Sequence, residues 1–318
     1  MNNQQSARIV SVTLNPAVDQ TLHFTQFNVG QVNRVSKIRL DPAGKGVNVA
    51  KVLNSLGCEV TVTGFLGRKN SRVFEEYFQI HKINNHFVKL DGTTRVNIKI
   101  VDETNEQVSE INYPGIKCSA SNLLELKSTI KKLADESKIF VLSGSLPEGA
   151  PKDIYQEFIR IIKSHDCKVF LDSSGDALKN GIMGKPDVIK PNVDELSQLM
   201  GRPLEQEADV LKAIDELIAS GISEVVVSLG EKGSLAADSA QRLLVRSPDV
   251  QVRSTVGAGD ALVAGLVLAE AKGMTLEEQV RWGTAVAAAS VAQPGTQAGP
   301  LEDVLTLLPK VIIKELKV

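Results

Sequence analysis

The residues best suited to chemistry are Ser254–Thr255–Val256–Gly257–Ala258–Gly259–Asp260, which stand directly before an Ala/Val/Leu-rich helix. Glycines at a helix start let the backbone approach a ligand closely, and the unpaired N–H groups there attract anions. A carboxylate in the same turn would repel a phosphate that is merely held. Asp260 therefore reads either as a base beside a phosphoryl group moving onto a hydroxyl, or as a helix cap.

A second Gly-rich stretch, Ala43–Gly44–Lys45–Gly46–Val47–Asn48, also precedes a helix. Its Lys and Asn suit an anionic, hydroxylated ligand, although a tight turn explains the glycines equally well. Neither stretch is followed by the GK[ST] of a P-loop or completes G-x-G-x-x-G, which disfavours a dinucleotide site. Lys190–Pro191–Asn192–Val193–Asp194–Glu195 opens another helix. Asn192 and Glu195 are equally a capping box or a pair that holds the waters of a magnesium ion. Ser228–Leu229–Gly230–Glu231–Lys232–Gly233 wraps a phosphate or is an ordinary turn, and Ser143–Gly144–Ser145 offers hydroxyls at a strand end without the G-x-S-x-G of a hydrolase. The four histidines have no metal-ligand spacing.

The elements that must position these groups alternate. Apolar runs at Ile9–Leu14, Val60–Leu66, Ile139–Leu142, Val169–Asp172, Val188–Lys190 and Val225–Leu229 read as strands. Helical periodicity covers Gly46–Leu56, Asn122–Glu136, Lys152–Ser164, Val193–Met200, Glu207–Ser220, Ala258–Lys272 and Leu276–Ala292. Such βα alternation predicts an α/β fold, a mostly parallel sheet with helices on both faces. Gln20–Leu40 and Thr93–Asn112 break the rhythm as strand pairs; in the second, Val96, Ile98 and Ile100 share one face. Insertions of this kind form either a lid over the strand ends or plain surface hairpins. The segment after Pro309 reads as helical and carries no motif.

Composition narrows the classes. The 318 residues carry 36 basic and 38 acidic side chains, a net charge of −2. That balance gives no basic footprint for nucleic acid and no polybasic face for lipid. With 42% hydrophobic but only 4% aromatic residues, the core is aliphatic. Three scattered cysteines form no C-x-x-C pair, the N-terminal stretch lacks a leader-like apolar run, and no apolar run approaches the ~20 residues of a membrane span. A soluble protein of a reducing cytoplasm is the expectation.

The motifs, taken in order, resemble the PfkB branch of the ribokinase-like sugar kinases over essentially the whole chain. The resemblance is carried by TLNPAVD (Thr13–Asp19), AGKGVNVAKVLNSLG (Ala43–Gly57), GFLG (Gly64–Gly67) and TRVNIK (Thr94–Lys99). It continues through SGSLPEG (Ser143–Gly149), DSSG (Asp172–Gly175), KPNVDEL (Lys190–Leu196), VVVSLGEKG (Val225–Gly233) and STVGAGDA (Ser254–Ala261). Ala43 replaces a glycine common in the family, and Ala261 replaces the commoner Ser after the Asp. NPAVD with AGKG and TRVNIK most resembles the 1-phosphofructokinase group, with tagatose-6-phosphate kinases close behind.

The resemblance implies one ribokinase-like kinase domain over residues 1–318, with a discontinuous β-sheet lid at about 13–40 and 93–113. It implies phosphorylation of fructose 1-phosphate by ATP, with Mg²⁺ required and K⁺ admitted. The alternatives are a tagatose-6-phosphate or fructose-6-phosphate kinase, or a silent sugar-phosphate sensor. Asp260 is the implied base, and the N–H groups of Gly257, Ala258 and Gly259 the anion hole. Asp19, Gly44 and Asn48 are implied for sugar hydroxyls and Lys45 and Arg95 for the sugar phosphate, with Ser143 or Ser145 nearby. Asn192 and Glu195 are implied for Mg²⁺, through water, Lys190 for the nucleotide, and Ser228, Gly230, Gly233 and Thr255 to frame ATP. A homodimer paired through the lids is also implied.

Overall fold

The computed structural model describes residues 8–316; the first seven residues, part of the stretch read as lacking a leader, and the last two lie outside the described residues. An eleven-stranded sheet forms the centre. From one edge its order is Ile312–Glu315, Arg242–Arg246, Ser234–Ala237, Glu224–Ser228, Val188–Ile189, Lys168–Asp172, Ile139–Ser143, Ile9–Thr13 and Val60–Gly67. Two short strands, Asn84–Asn85 and Val88–Leu90, pair beyond Val60–Gly67. All pairings from Glu224–Ser228 to Val60–Gly67 are parallel, while the three-strand edge after Ser228 is antiparallel.

Side chains alternating along the strands feed two cores. On one face Ile9, Val60 and Val62 pack with Val47, Leu53, Leu262 and Val267 from the helices Lys45–Ser55 and Ala258–Ala271. On the other, Val10, Val12, Phe140 and Leu142 meet Leu126, Ile130 and Phe158 from Ala120–Ala134 and Ile154–Lys163. Strands buried on both faces read as nearly continuous hydrophobic runs, as Ile139–Ser143 does here. The helices Ala258–Ala271 and Leu276–Val291 cross closely because neither carries a side chain at the crossing: a Cβ on Gly265 would stand 2.6 Å from the Gly283 Cα.

Sequence periodicity left out the helices Arg72–Ile80, Gly175–Gly181 and Leu301–Leu307, the last two only seven residues long. The segment after Pro309, expected as helix, is the edge strand Ile312–Glu315, held by antiparallel pairing to Arg242–Arg246. Tertiary pairing overrides local preference there.

The two insertions merge into one separate four-stranded sheet, in the order Lys37–Ala43, Ala17–Phe24, Val96–Asp102, Gln107–Ile111. Its central pair is parallel, with Asp19 opposite Asn97 and Thr21 opposite Lys99. Val96, Ile98 and Ile100 do share a face, as the alternation predicts; Val96 packs against the main core, but the rest of that face points outward. Its neighbours Ile38, Leu40 and Ile111 are 57%, 51% and 45% exposed, whereas Lys99 on the opposite face is 9% exposed. The polar face lies inward because it lines a cleft.

Candidate active site

The site lies at the C-terminal ends of the parallel strands, where α/β sheets bind ligands. Register aligns Thr13, Ser143 and Asp172 on three adjacent strands, and Asn192 bridges to Ser228 further along. Two helices begin above this row. The first, Lys45–Ser55, follows Gly44, whose φ of +115° and closeness to Pro16 (a Cβ would sit 2.9 Å from its Cα) admit only glycine. At Gly46 a Cβ would come within 2.4 Å of Thr13 Oγ1, so glycine lets this helix rest directly on the strand. The second, Ala258–Ala271, starts after Gly257 at φ +81°.

Asp260 is no cap, because the helix start has no side-chain cap at all. Its Oδ2 instead accepts a 2.8 Å hydrogen bond from Asn48 Nδ2, which ties the two helix starts together. Burial and the nearby charge of Asp172 push the Asp260 carboxyl up to about 6, against the pull of Lys45, Asn48 and Lys190. That is a carboxylate ionised at neutral pH yet basic enough to take a proton. Of the three N–H groups expected as an anion hole, that of Ala258 donates to the Thr255 carbonyl at 3.2 Å. Those of Gly257 and Gly259 have no acceptor among the described residues.

Asp172, which the sequence offers only as the first residue of DSSG, ends its strand inside this group. It is 1% exposed and paired with two lysines, Lys45 at 3.2 Å and Lys190 at 3.4 Å. Burial alone would raise its carboxyl, but Lys190 and Lys45 together hold it below the usual carboxylate range. Lys45 is in turn driven well above the ordinary lysine value, first by Asp172, and then by Asp260 and Glu195 against the cost of burial. Lys190 Nζ would lie 3.4 Å from a Cβ on Gly259, so its ammonium faces the helix start. Thr13 Oγ1, Asn15 Oδ1, Asn48 Oδ1 and Ser143 Oγ are buried atoms without a protein partner. Such atoms cost free energy unless a ligand meets them. Ser145 Oγ accepts from Asn15 Nδ2 at 3.0 Å.

Asn192 and Glu195 form the reciprocal capping box: Glu195 N–H donates to Asn192 Oδ1 at 2.7 Å and Asn192 N–H to Glu195 Oε2 at 2.9 Å. One carboxylate oxygen of Glu195 stays outside the box. Beyond Ser228, Gly230 (φ +64°) and Gly233 (φ +96°) shape the turn, and Leu229 N–H donates to the Gly233 carbonyl.

A cleft of about 430 Å³ lies between the inner face of the small sheet and the segments 252–256 and 294–296, with Thr255 in its wall. Asp19 borders it, gripped by Lys99 Nζ at 2.8 Å and Asn97 Nδ2 at 3.2 Å. Arg39, Lys99 and Arg253 are its lining cations among the lysines and arginines. Arg95 is placed differently: its guanidinium donates to the carbonyls of Asn15, Pro16 and Tyr113, where the small sheet joins the main one. The structure thus gathers Gly44, Lys45, Asn48, Ser143, Lys190 and Asp260 round the strand ends, Asp19 and Thr255 at the cleft, and Arg95 at the junction of the two sheets. Asp172 and Lys99 were legible only as a carboxylate ending a strand and as the polar phase of an alternating one.

The chain as a whole has counterparts among known proteins. The profile of the pfkB family carbohydrate kinases matches residues 12–303. The 1-phosphofructokinase of Vibrio cholerae serotype O1 is 42% identical over 309 residues, 97% of each chain. That of Rhodobacter capsulatus is 39% identical over 310 residues, 97% of this chain and 98% of its own. Among solved structures, phosphofructokinase-2 from Escherichia coli in complex with potassium superposes with a TM-score of 0.90 at 29% identity, covering 96% of this chain and 99% of that one. The same enzyme is also known in a tetrameric inhibited form. The match along nearly the full length, with Asp260 buried at a glycine-rich helix start, makes this chain a member of the pfkB family of carbohydrate kinases.

Proposed function

We propose that this kinase transfers the γ-phosphoryl group of ATP to the C6 hydroxyl of fructose 1-phosphate, giving fructose 1,6-bisphosphate and ADP. The observation that carries the chemistry is the buried Asp260, pushed up to about 6 and aimed by Asn48 beside free N–H groups. The choice of sugar rests on relatives named 1-phosphofructokinase over nearly the whole chain. Asp260 takes the hydroxyl proton, the Gly257 and Gly259 N–H groups meet the transferring oxygens, and Lys190 supports them. Asp19, Gly44 and Asn48 hold the sugar hydroxyls, with Ser143 Oγ free to join them. The sugar phosphate falls to the cations under the small sheet, Arg39, Lys99 and Arg253, with Arg95 at the junction of the two sheets. The inner face of that sheet acts as a lid that excludes water.

Ser228, Gly230, Gly233 and Thr255 frame the nucleotide. Among the described residues no three acidic, His or Cys side chains cluster as a metal cage. A single free carboxylate oxygen on Glu195 suits Mg²⁺, which keeps most of its waters and binds mainly through phosphates. When bound, that ion neutralises phosphate charge. K⁺ is a further candidate, since a structural relative holds it. The exposed Ile38, Leu40 and Ile111 on the outer lid face support a homodimer paired through the lids. Leu40→Asp should then release monomers in sedimentation; an unchanged mass would refute the lid interface. The three cysteines are free, which suits a reducing compartment, and among the described residues no helix is long and apolar enough to cross a membrane.

The test is ADP release with Mg-ATP and fructose 1-phosphate, fructose 6-phosphate or tagatose 6-phosphate in turn, compared by kcat/KM. Preference for fructose 1-phosphate supports the proposal. Preference for a 6-phosphate keeps the chemistry and reverses the sugar. Binding without turnover of any of them would leave a sensor.

A further inference from the structure

We propose that Lys45 is a catalytic cation of phosphoryl transfer, its ammonium contacting the transferring γ-phosphoryl group and not the phosphate already on the sugar. The inference rests on the kinase reading above and deepens it. Lys45 begins the helix Lys45–Ser55, one turn before Asn48, whose amide holds the Asp260 carboxylate at 2.8 Å. Its Nζ lies 3.2 and 3.4 Å from the two Asp172 oxygens. Asp172 Oδ1 is also 3.4 Å from Lys190 Nζ, and Lys190 faces Gly259. One buried carboxylate thus anchors two ammonium groups beside the helix start that receives the phosphoryl group.

The chemistry of the sugar gives the argument its direction. In the reaction the C6 hydroxyl gives its proton to Asp260 and its oxygen electron pair forms the new bond to phosphorus. The bond from that phosphorus to the β-phosphate oxygen breaks, and its electrons leave with ADP. C6 and the C1 phosphate are opposite ends of the ketohexose. A cation close enough to Asp260 to act on its charge therefore stands at the reacting end. Lys45 meets that condition: it opens the helix whose Asn48 holds Asp260, and its ammonium sits on the Asp172 carboxylate that also anchors Lys190 before Gly259. It is not among the residues lining the cleft under the lid, where Arg39, Lys99 and Arg253 stand. Without it, Asp172, Asp260 and Glu195 would face an incoming polyanion with Lys190 alone, and charge spreading over the phosphoryl oxygens would lose a partner.

The experiment compares wild type with Lys45→Met and Lys45→Arg in steady-state kinetics, and measures fructose 1-phosphate binding by calorimetry without nucleotide. The three sugar phosphates are assayed on wild type first. If wild type ignores fructose 1-phosphate but uses another, the substrate reading fails and the same split is read on the sugar it uses. For Lys45→Met, kcat should fall by about 10²–10³, the loss typical of one transition-state donor. The sugar Kd should stay within about threefold. The acid limb of the kcat profile should move to higher pH, because the charge that favours ionised Asp260 is gone. Lys45→Arg should recover part of kcat at unchanged Kd, and decides the question by the same two numbers if the Met variant does not fold. A sugar Kd weakened more than tenfold with kcat nearly intact would overturn the proposal and return Lys45 to the sugar phosphate.

Discussion

Three elements run from the proposed site at one end to a second cluster of charged side chains at the other. The strand Lys168–Asp172 has Asp172 in the site and Lys168 at its far end; the strand Glu224–Ser228 has Ser228 in the site and Glu224 at its start; the helix Ala258–Ala271 has Asp260 in its first turn and Glu270 in its last. At the far end Lys168 pairs with Glu270 at 2.5 Å, Gln279 donates to Glu270, and Glu224 lies among them. Burial, with Glu270 and Asp238 adding to it against the pull of Lys168 and Gln279, pushes the Glu224 carboxyl up to about 7. That is at least as perturbed as Asp260. A raised carboxyl alone therefore does not mark a catalytic site. What separates the two ends is the surroundings: two lysines, a glycine-rich helix start with unpaired N–H groups, and hydroxyls without partners, against the acceptor-rich last turn of a helix.

Removing each carboxylate in turn breaks the comparison most directly. Asp260→Asn is isosteric and keeps the Asn48 contact region, so sugar binding should persist while kcat falls by about 10²–10⁴, the usual share of a general base. Turnover of that variant near the wild-type rate would show that the base lies elsewhere. The wild-type rate should also fall as pH drops below about 6, where Asp260 takes up a proton before the sugar can supply one.

Asp172→Asn sharpens the contrast between a paired and an unpaired buried acid. Because Asp172 raises the Asp260 carboxyl, its neutralisation should move the acid limb of kcat to lower pH. The two lysines would lose their anchor, and a misplacement of even 1 Å costs roughly a hundredfold in rate. The folded Asp172 carboxyl lies below its unfolded value, so its stability contribution is present above the unfolded pKa and lost as pH falls through the folded one. The variant should accordingly unfold at lower temperature than wild type at pH 7, and an unchanged melting temperature would mean that the lysine pairs contribute nothing to stability.

The chain spelled out most of this architecture and part of the site. Helices such as Val193–Met200 were legible because a capping box and an apolar stripe agree locally. The strand Ile312–Glu315 was not, since only its pairing with Arg242–Arg246 makes it a strand. Asp260 stood out as a carboxylate in a turn suited to phosphate, and Asn48 as an amide beside glycines at a helix start. Their mutual hydrogen bond did not, because it joins positions 212 residues apart. Lys99 was hidden for the opposite reason. Alternation assigned its strand the right two faces but could not say that the polar one turns inward, which depends on a cleft made by segments more than 150 residues later.

The smallest effect on activity is expected at the far end. Glu224→Gln should leave kcat and KM within about twofold, since nothing there touches the strand C-termini. Its effect should appear in stability instead. The folded carboxyl, at about 7, lies above the unfolded value, so the native chain binds more protons between about pH 4.5 and 7, and the stability this group contributes is lost as pH rises through that window. At pH 8 a buried charge remains, with Glu224 Oε2 and Gln279 Oε1 both lacking protein donors. An amide removes the charge and supplies a donor, so the variant should be more stable than wild type at pH 8, by an amount on the order of 1–3 kcal/mol. The two should converge near pH 5, read as melting temperatures across pH. A gain equal at both pH values would point to packing in place of charge, and the two ends of these elements would then differ in more than the company their carboxylates keep.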